Sequence, residues 1–284
     1  PAPINPMRQA AERRGVAVFD PPSINDAAVQ RQLTALAADL LVVCDYGQIL
    51  QSATLAAARL GGINLHGSLL PRYRGAAPVQ WSVYQGDAET GVSVIHMTPL
   101  LDGGPILTVR KTPIGPEETA GELEPRLSQL GVEPVFEAIR MLEAWDGKTI
   151  LGERQDPALA TKAPRLRKQD GELDWHRTAR QLHNQVRALQ PWPGSYTHWA
   201  SGKGEPLRLI LNRVVVESDE ETTEPGKSEP GTVLESHEGR LVVATGRGTL
   251  RIDRLQPAGK RVMEAAEFLR GYPIPPGQRL GGAT

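Results

Sequence analysis

Two stretches of this sequence carry side chains suited to chemistry on a carbonyl group. The first is Gly62-Ile63-Asn64-Leu65-His66-Gly67-Ser68-Leu69-Leu70-Pro71-Arg72-Tyr73-Arg74-Gly75, an apolar run that passes into a loop punctuated by glycine and proline. In extended chain Asn64 and His66 point to one face, because side chains alternate with a period of two. At the carboxyl end of a parallel strand that face looks into the ligand crevice of an open sheet. An amide and an imidazole there can both donate hydrogen bonds to an oxygen on which negative charge develops. The second stretch, Leu100-Leu101-Asp102-Gly103-Gly104-Pro105-Ile106-Leu107, sets an acid on a tight glycine loop between two strands. A carboxylate at Asp102 could orient His66, favour its charged form and relay a proton. Each residue also has a purely structural reading: Asn64 as a strand cap, His66 as a hydrogen-bonded ring, Asp102 as an Asx turn.

A third loop, residues 45–50, follows another apolar run at what would be the carboxyl end of a strand. His96, His176, His183, His198 and His237 show no paired ligand spacing, so no metal site is expected. Cys44 is the only cysteine, which excludes an internal disulfide and a thiolate cage. At the end of an apolar strand it reads as a buried, inert thiol.

The elements that must hold these loops follow from periodicity. Residues 1–150 alternate apolar runs with amphipathic stretches, the pattern of an α/β domain with a mostly parallel sheet. Strands are predicted at 16–19, 40–44, 62–65, 92–97 and 106–111, and helices at 4–14, 25–39 (N-capped by Asn25), 52–60, 77–84 and 117–145, the last broken near Gly131. Residues 151–170 lose periodicity and read as a linker with a basic end. A second domain, 171–284, opens with a helix over 173–189 that Pro191 and Pro193 stop. Short β-rich runs at 195–199, 207–216, 232–234, 241–244 and 250–255 then fit a small β-barrel of the OB type. Residues 217–230 are dense in Glu, Thr, Ser and Pro and predict a mobile loop.

Composition narrows the function classes. With 284 residues, 39% apolar content and a formal charge of -1, the chain suits a soluble two-domain protein and offers no global basicity, so any nucleic-acid surface must be local. The longest apolar stretch, 36–43, contains Asp39 and is far below bilayer-spanning length, and no leader-like segment opens the chain. A cytoplasmic location is expected, with no membrane association. Pro1 is not a translational start, so a missing N-terminal segment is also expected.

The run from Asn64 to Pro71, followed by Arg74-Gly75-Ala76-Ala77-Pro78 and Leu101-Asp102-Gly103-Gly104, resembles the signature of the folate-dependent formyltransferases. The resemblance implies a Rossmann-like formyltransferase domain over residues 1–150, 10-formyltetrahydrofolate as co-substrate, and no metal. It implies Asn64, His66 and Asp102 as the catalytic set, with Ser68, Leu69, Leu70 and Pro71 lining the folate site and Tyr46 and Gly47 helping to hold the pterin. Leu173-Asp174-Trp175, Val186-Arg187-Ala188 and Pro191-Trp192-Pro193 are similar to the start of the family's C-terminal domain. Leu255-Gln256-Pro257-Ala258-Gly259-Lys260 is similar to the branch that formylates initiator methionyl-tRNA. That branch implies attack of a methionyl amino group on the formyl carbon, with Asn64 and a protonated His66 donating to the oxyanion. Asp102 would hold His66 and pass a proton, through water. Transfer RNA would be held through phosphates by an otherwise monomeric chain. From residue 231 onward eight Lys and Arg face five Asp and Glu, with Arg251, Arg254, Lys260 and Arg261 clustered; Arg165, Arg167 and Lys168 form a second group. Both groups also read as solvated charged faces. The family's first strand, glycine turn and following loop are not found ahead of residue 6. Two alternatives share part of this pattern: a hydrolase or amino-sugar formyltransferase using the same donor, and a non-catalytic tRNA- or folate-binding remnant.

Overall fold

The computed structural model describes residues 6–200, 205–220 and 228–281. Chain order in the first part runs α1 (Pro6–Arg13), α2 (Ala27–Ala35), β1 (Leu41–Cys44), α3 (Ser52–Leu55), β2 (Gly62–His66), β3 (Arg74–Gly75), α4 (Pro78–Gln85), β4 (Glu89–His96), β5 (Ile106–Pro113), α5 (Ala120–Leu130) and α6 (Val132–Glu143). Four strands form one sheet in the order β1-β2-β4-β5. β1 and β2 run parallel, whereas β4 is antiparallel to both β2 and β5. The sheet is thus mixed, with its parallel pairing between β1 and β2.

Local chemistry sets the helices that back this sheet. Thr119 and Glu122 form a reciprocal capping box that starts α5. Gly131 separates α5 from α6 because the junction presses on the site strand: a Cβ there would lie 2.6 Å from Leu65 Cδ2. Ala138 and Leu142 of α6 pack on Ile63, Val94 and Leu107, while Leu123 and Leu127 of α5 pack on Val83 and Val92. Leu65 therefore faces the helices, and its neighbours Asn64 and His66 face the other way.

Several sequence expectations are corrected here. Residues 16–19 form no strand: they pair with nothing described, and Val16 and Phe19 are exposed, since β propensity without a neighbouring strand makes no ladder. Asn25 does not cap α2, whose N-cap is Asp26; the Asn25 amide instead accepts from Gln51 N (3.0 Å) and Thr54 Oγ1 (2.8 Å). Cys44 is exposed: it shares one face of β1 with exposed Val42, while Leu41 and Val43 on the other face are half-buried. Partial burial and the adjacent Asp45 still push its thiol pKa up, which keeps it protonated and unreactive.

The stretch expected to be a linker is tied down. Its β6 (Lys162–Ala163) pairs parallel with β3, and Glu153 exchanges two backbone hydrogen bonds with Ile106, both 2.8 Å. Beyond it come α7 (Ala179–Ala188), β7 (Ser195–Trp199), β8 (Leu207–Ser218), β9 (Val233–His237), β10 (Arg240–Ala244), β11 (Thr249–Pro257), β12 (Met263–Glu264) and α8 (Ala265–Gly271). The helix begins at Ala179 rather than at 173 because Thr178 caps it with Gln181 in a second capping box. The antiparallel order is β7-β8-β11-β10-β9, with β12 on β11. Residues 278–281 then join the two edges: Val233 N donates to Gln278 O, Leu280 N to Gly231 O and Gly281 N to His198 O, each at 2.8 Å. This closure gives the barrel form, around a core containing Leu182, Leu209, Leu250, Leu255 and Phe268. Of residues 217–230, expected to be a loop, 217–218 extend β8 and 221–227 lie outside the described residues.

The two parts pack through α4 and α7. Arg177 lies over the Tyr84 ring, 4.8 Å from its centroid, and buried Arg187 donates to Glu118 O at 3.1 Å. Among the described residues no helix is long and apolar enough to cross a membrane.

Candidate active site

Strand β2 delivers Asn64 and His66 to the end of the sheet where the parallel β1 also finishes. The loop from Leu100 to Gly104 brings Asp102 across to them. Asp102 lies between the two: Asn64 Nδ2 donates to Oδ1 at a long 3.5 Å, and His66 Nδ1 is 3.8 Å from Oδ2. The second distance is an electrostatic contact rather than a hydrogen bond. Gly75 N donates to Oδ2 at 2.9 Å, so a backbone amide also fixes the carboxylate. The His66 side chain is 5% exposed and that of Asp102 12%, so the pair sits nearly out of water.

Burial lowers the pKa of the His66 imidazole from its ordinary value near 6.5, against the opposing pull of Asp102 and the Tyr73 carbonyl. Burial thus favours the uncharged ring in the resting site. Its Nε2 lies 2.8 Å from Tyr73 O. A carbonyl only accepts, so Nε2 carries the proton and Nδ1 presents a lone pair beside Asp102.

Asp102 and Tyr73 both adopt left-handed backbone, with φ of 48° and 63°. For a residue other than glycine this costs about 1 kcal/mol, so both loops need ties. Gln155, which sequence periodicity gave no reason to single out, supplies one: Nε2 donates to Asp102 O at 2.8 Å and to Gly104 O at 2.7 Å. Thr161 supplies another, its Oγ1 accepting from Tyr73 N at 2.8 Å. Gly104 is required for close approach, since a Cβ there would meet His96 O at 1.9 Å.

The remaining candidates are placed as follows. Ser68 is fully buried; its hydroxyl donates to Arg72 O (2.7 Å), and its carbonyl accepts from Ser93 Oγ (2.8 Å). It shapes the loop and does not present a free hydroxyl. Leu70 is buried, with its N–H donating to Ser93 Oγ, while Leu69 and Pro71 are half-buried. Tyr46 and Gly47 are exposed on the loop after β1, at the same sheet end but outside the Asn64–His66–Asp102 contacts. Burial and the Asp87 carboxylate, 2.7 Å away, raise the Tyr73 phenol pKa, so it stays protonated. A groove of about 680 Å³ between β5 and α6 holds none of these residues.

The two basic groups differ. Arg251 pairs with Glu217 and Asp253, Arg254 with Glu264, and Arg261 with Glu267, so acids of the barrel largely neutralise that cluster. Lys162, Arg165, Arg167 and Lys168 are exposed and form no ion pair among the described residues. Among those residues no group of three or more His, Cys, Asp or Glu could hold a metal ion.

Comparison with known proteins adds the following. The formyl transferase family matches residues 2–139, and the formyl transferase C-terminal domain family matches residues 165–273. The methionyl-tRNA formyltransferase of Rhodopirellula baltica is 52% identical over 282 residues, 98% of this chain and 82% of that protein. That of Geobacter metallireducens is 40% identical, covering 97% of this chain and 84% of its own length. Among solved structures, an N-formyltransferase from Helicobacter canadensis in complex with folinic acid and dTDP-3-aminofucose superposes with a TM-score of 0.59 at 16% identity, over 86% of this chain and 81% of that one. HypX from Aquifex aeolicus in complex with tetrahydrofolic acid gives 0.57 at 18% identity, over 84% of this chain and 40% of that one. At such identities these two neighbours speak for the fold alone.

Proposed function

This chain belongs to the methionyl-tRNA formyltransferase family, and on that premise we propose that Asn64, His66 and Asp102 carry out its formyl transfer. The reaction moves the formyl group of 10-formyltetrahydrofolate to the amino group of methionyl-initiator-tRNA, a step in translation initiation. The observation that carries the site assignment is the convergence of the three side chains on one nearly dry point at the sheet end.

The donor set fits this substrate. The 3.5 Å contact of Asn64 to Asp102 is weak enough for the amide to turn an N–H toward a formyl oxygen. One such donor aimed at a developing oxyanion is worth about 3 kcal/mol of barrier. Neutral His66 takes, at Nδ1, the proton that the amine sheds as the new C–N bond forms. The resulting cation lies against Asp102 and beside the oxyanion, stabilising both before the proton leaves with the departing folate nitrogen. No covalent bond to the enzyme is needed. Leu69, Leu70 and Pro71 give the folate an apolar wall, with Tyr46 and Gly47 at its outer end. Ser68 acts by shaping that loop.

Residues 1–150 make the catalytic domain, 151–170 the connection and 171–284 a tRNA-binding domain. The exposed cations at 162–168 suit phosphate contact better than the neutralised barrel cluster. All three catalytic side chains come from one chain, so a monomer working in the cytoplasm suffices.

The test is transfer of labelled formyl from 10-formyltetrahydrofolate, offered charged initiator methionyl-tRNA and an amino-sugar nucleotide in parallel. Turnover on the tRNA alone is expected. Preference for the sugar, or tRNA binding without turnover, contradicts the reading.

A further inference from the structure

We propose that Gln155 is a positioning residue for Asp102, holding the catalytic carboxylate in register with His66 by fastening two loops together; this rests on the reading of Asp102 as part of the catalytic set. The side-chain amide has every valence committed. Arg74, which can only donate, gives Nε and Nη2 to Gln155 Oε1 at 3.0 and 2.7 Å. This fixes which end of the amide is oxygen. Both hydrogens of Nε2 then go to Asp102 O and Gly104 O.

These bonds close a ring. Asp102 is held at its carbonyl by Gln155; Gln155 is held by Arg74; Arg74 is followed by Gly75, whose N–H returns to the Asp102 carboxylate. A residue in left-handed backbone, as Asp102 is, relaxes readily when such ties are cut. The rest of the segment is anchored at both ends, by Glu153 on Ile106 and by β6 on β3, so Gln155 projects from a fixed strap. Gly75 is required there, because at φ 130° a Cβ would come 2.4 Å from Ala163 O.

The test is a double-mutant cycle in single-turnover formyl transfer, using Gln155→Leu, Asp102→Ala and the double variant. Gln155→Leu is expected to lower kcat by about 10- to 100-fold, as loss of a group orienting a catalytic residue does, with KM for both substrates little changed. In the Asp102→Ala background the same substitution is expected to cost nothing further. An NMR titration of His66 gives an independent readout: in Gln155→Leu its midpoint moves to lower pH, because the carboxylate that raises it has drifted away. If Gln155→Leu does not fold, Gln155→Glu keeps the size and the Arg74 pairing but sets an acceptor against two carbonyls, and the same non-additive pattern is expected. Equal losses in both backgrounds, or an unmoved His66 titration, overturn the proposal. Undiminished turnover in Asp102→Ala removes the catalytic reading and this proposal with it, whereas additivity alongside an impaired Asp102→Ala removes this proposal alone.

Discussion

The barrel and the α/β part hold themselves together by different means. In the barrel, Leu182, Leu209, Leu211, Leu250, Leu255 and Phe268 are fully buried in one continuous apolar cluster. In the α/β part the apolar core is divided into smaller clusters along α5 and α6; both parts bury polar side chains, but those of the α/β part include His66, Ser68 and Ser93 at the site, whereas those of the second part, such as Asn184, Gln185 and Arg187, lie on α7. Apolar packing is strong but non-directional, whereas hydrogen bonds fix direction at modest net energy. The difference teaches that stability and catalytic geometry are lodged in separate places. A barrel substitution should cost stability before activity, and a substitution among the polar ties of the site should do the reverse.

Phe268→Ala gives the largest separation. It should cost about 3–5 kcal/mol of stability by leaving a cavity, read from denaturant unfolding, with formyl transfer per folded molecule unchanged. A parallel fall in kcat would break the comparison. Gly131→Ala probes the boundary, where a helix junction touches the site strand through Leu65. Overpacking there should cost about 1–3 kcal/mol and, because Leu65 lies between Asn64 and His66, should lower kcat as well. An unchanged kcat would separate the helix layer from the site.

The pH dependence is gentler. Burial lowers the folded-state pKa of His66 below its ordinary value near 6.5, so the unfolded chain binds the proton more readily as pH falls. The stability linked to His66 is present above that ordinary value and is lost as pH drops through the folded one. Since the neutral ring accepts the proton, the acid limb of kcat/KM should lie below pH 6.5 and coincide with the His66 titration seen by NMR. A limb above 6.5 would mean that the ring works from its charged form. Smallest of all, Arg59→Ala removes an ion pair with Asp39 whose side chains are 70% and 73% exposed. It should change unfolding free energy by less than about 1 kcal/mol, and a larger change would show that the exposed surface matters more than the two cores.

What the sequence made legible was whatever rests on local pattern. The period of two put Asn64 and His66 on one face, the glycine loop placed Asp102 between strands, and Gly131 marked a helix break. Most barrel strands announced themselves as apolar runs between turns. Contacts between distant residues left no such trace. The strap formed by residues 153–163 lacks periodicity because it is held by Ile106, Tyr73 and Arg74, so it read as a linker and Gln155 went unnoticed. The barrel cations looked like a basic patch until folding set Glu217, Asp253, Glu264 and Glu267 beside them. Exposure of Cys44 depends on what packs over the face of β1 that it shares with exposed Val42, which composition does not encode.

The central claim is that Asn64, His66 and Asp102 act together on the formyl group. Its most direct test is single-turnover transfer from 10-formyltetrahydrofolate to charged initiator methionyl-tRNA by His66→Ala, with tRNA affinity and unfolding measured on the same preparation. A loss of about 10²- to 10⁴-fold in the transfer rate, with tRNA affinity preserved and the protein still folded, is the predicted result. A His66→Ala protein that transfers formyl at the unaltered rate would contradict the account.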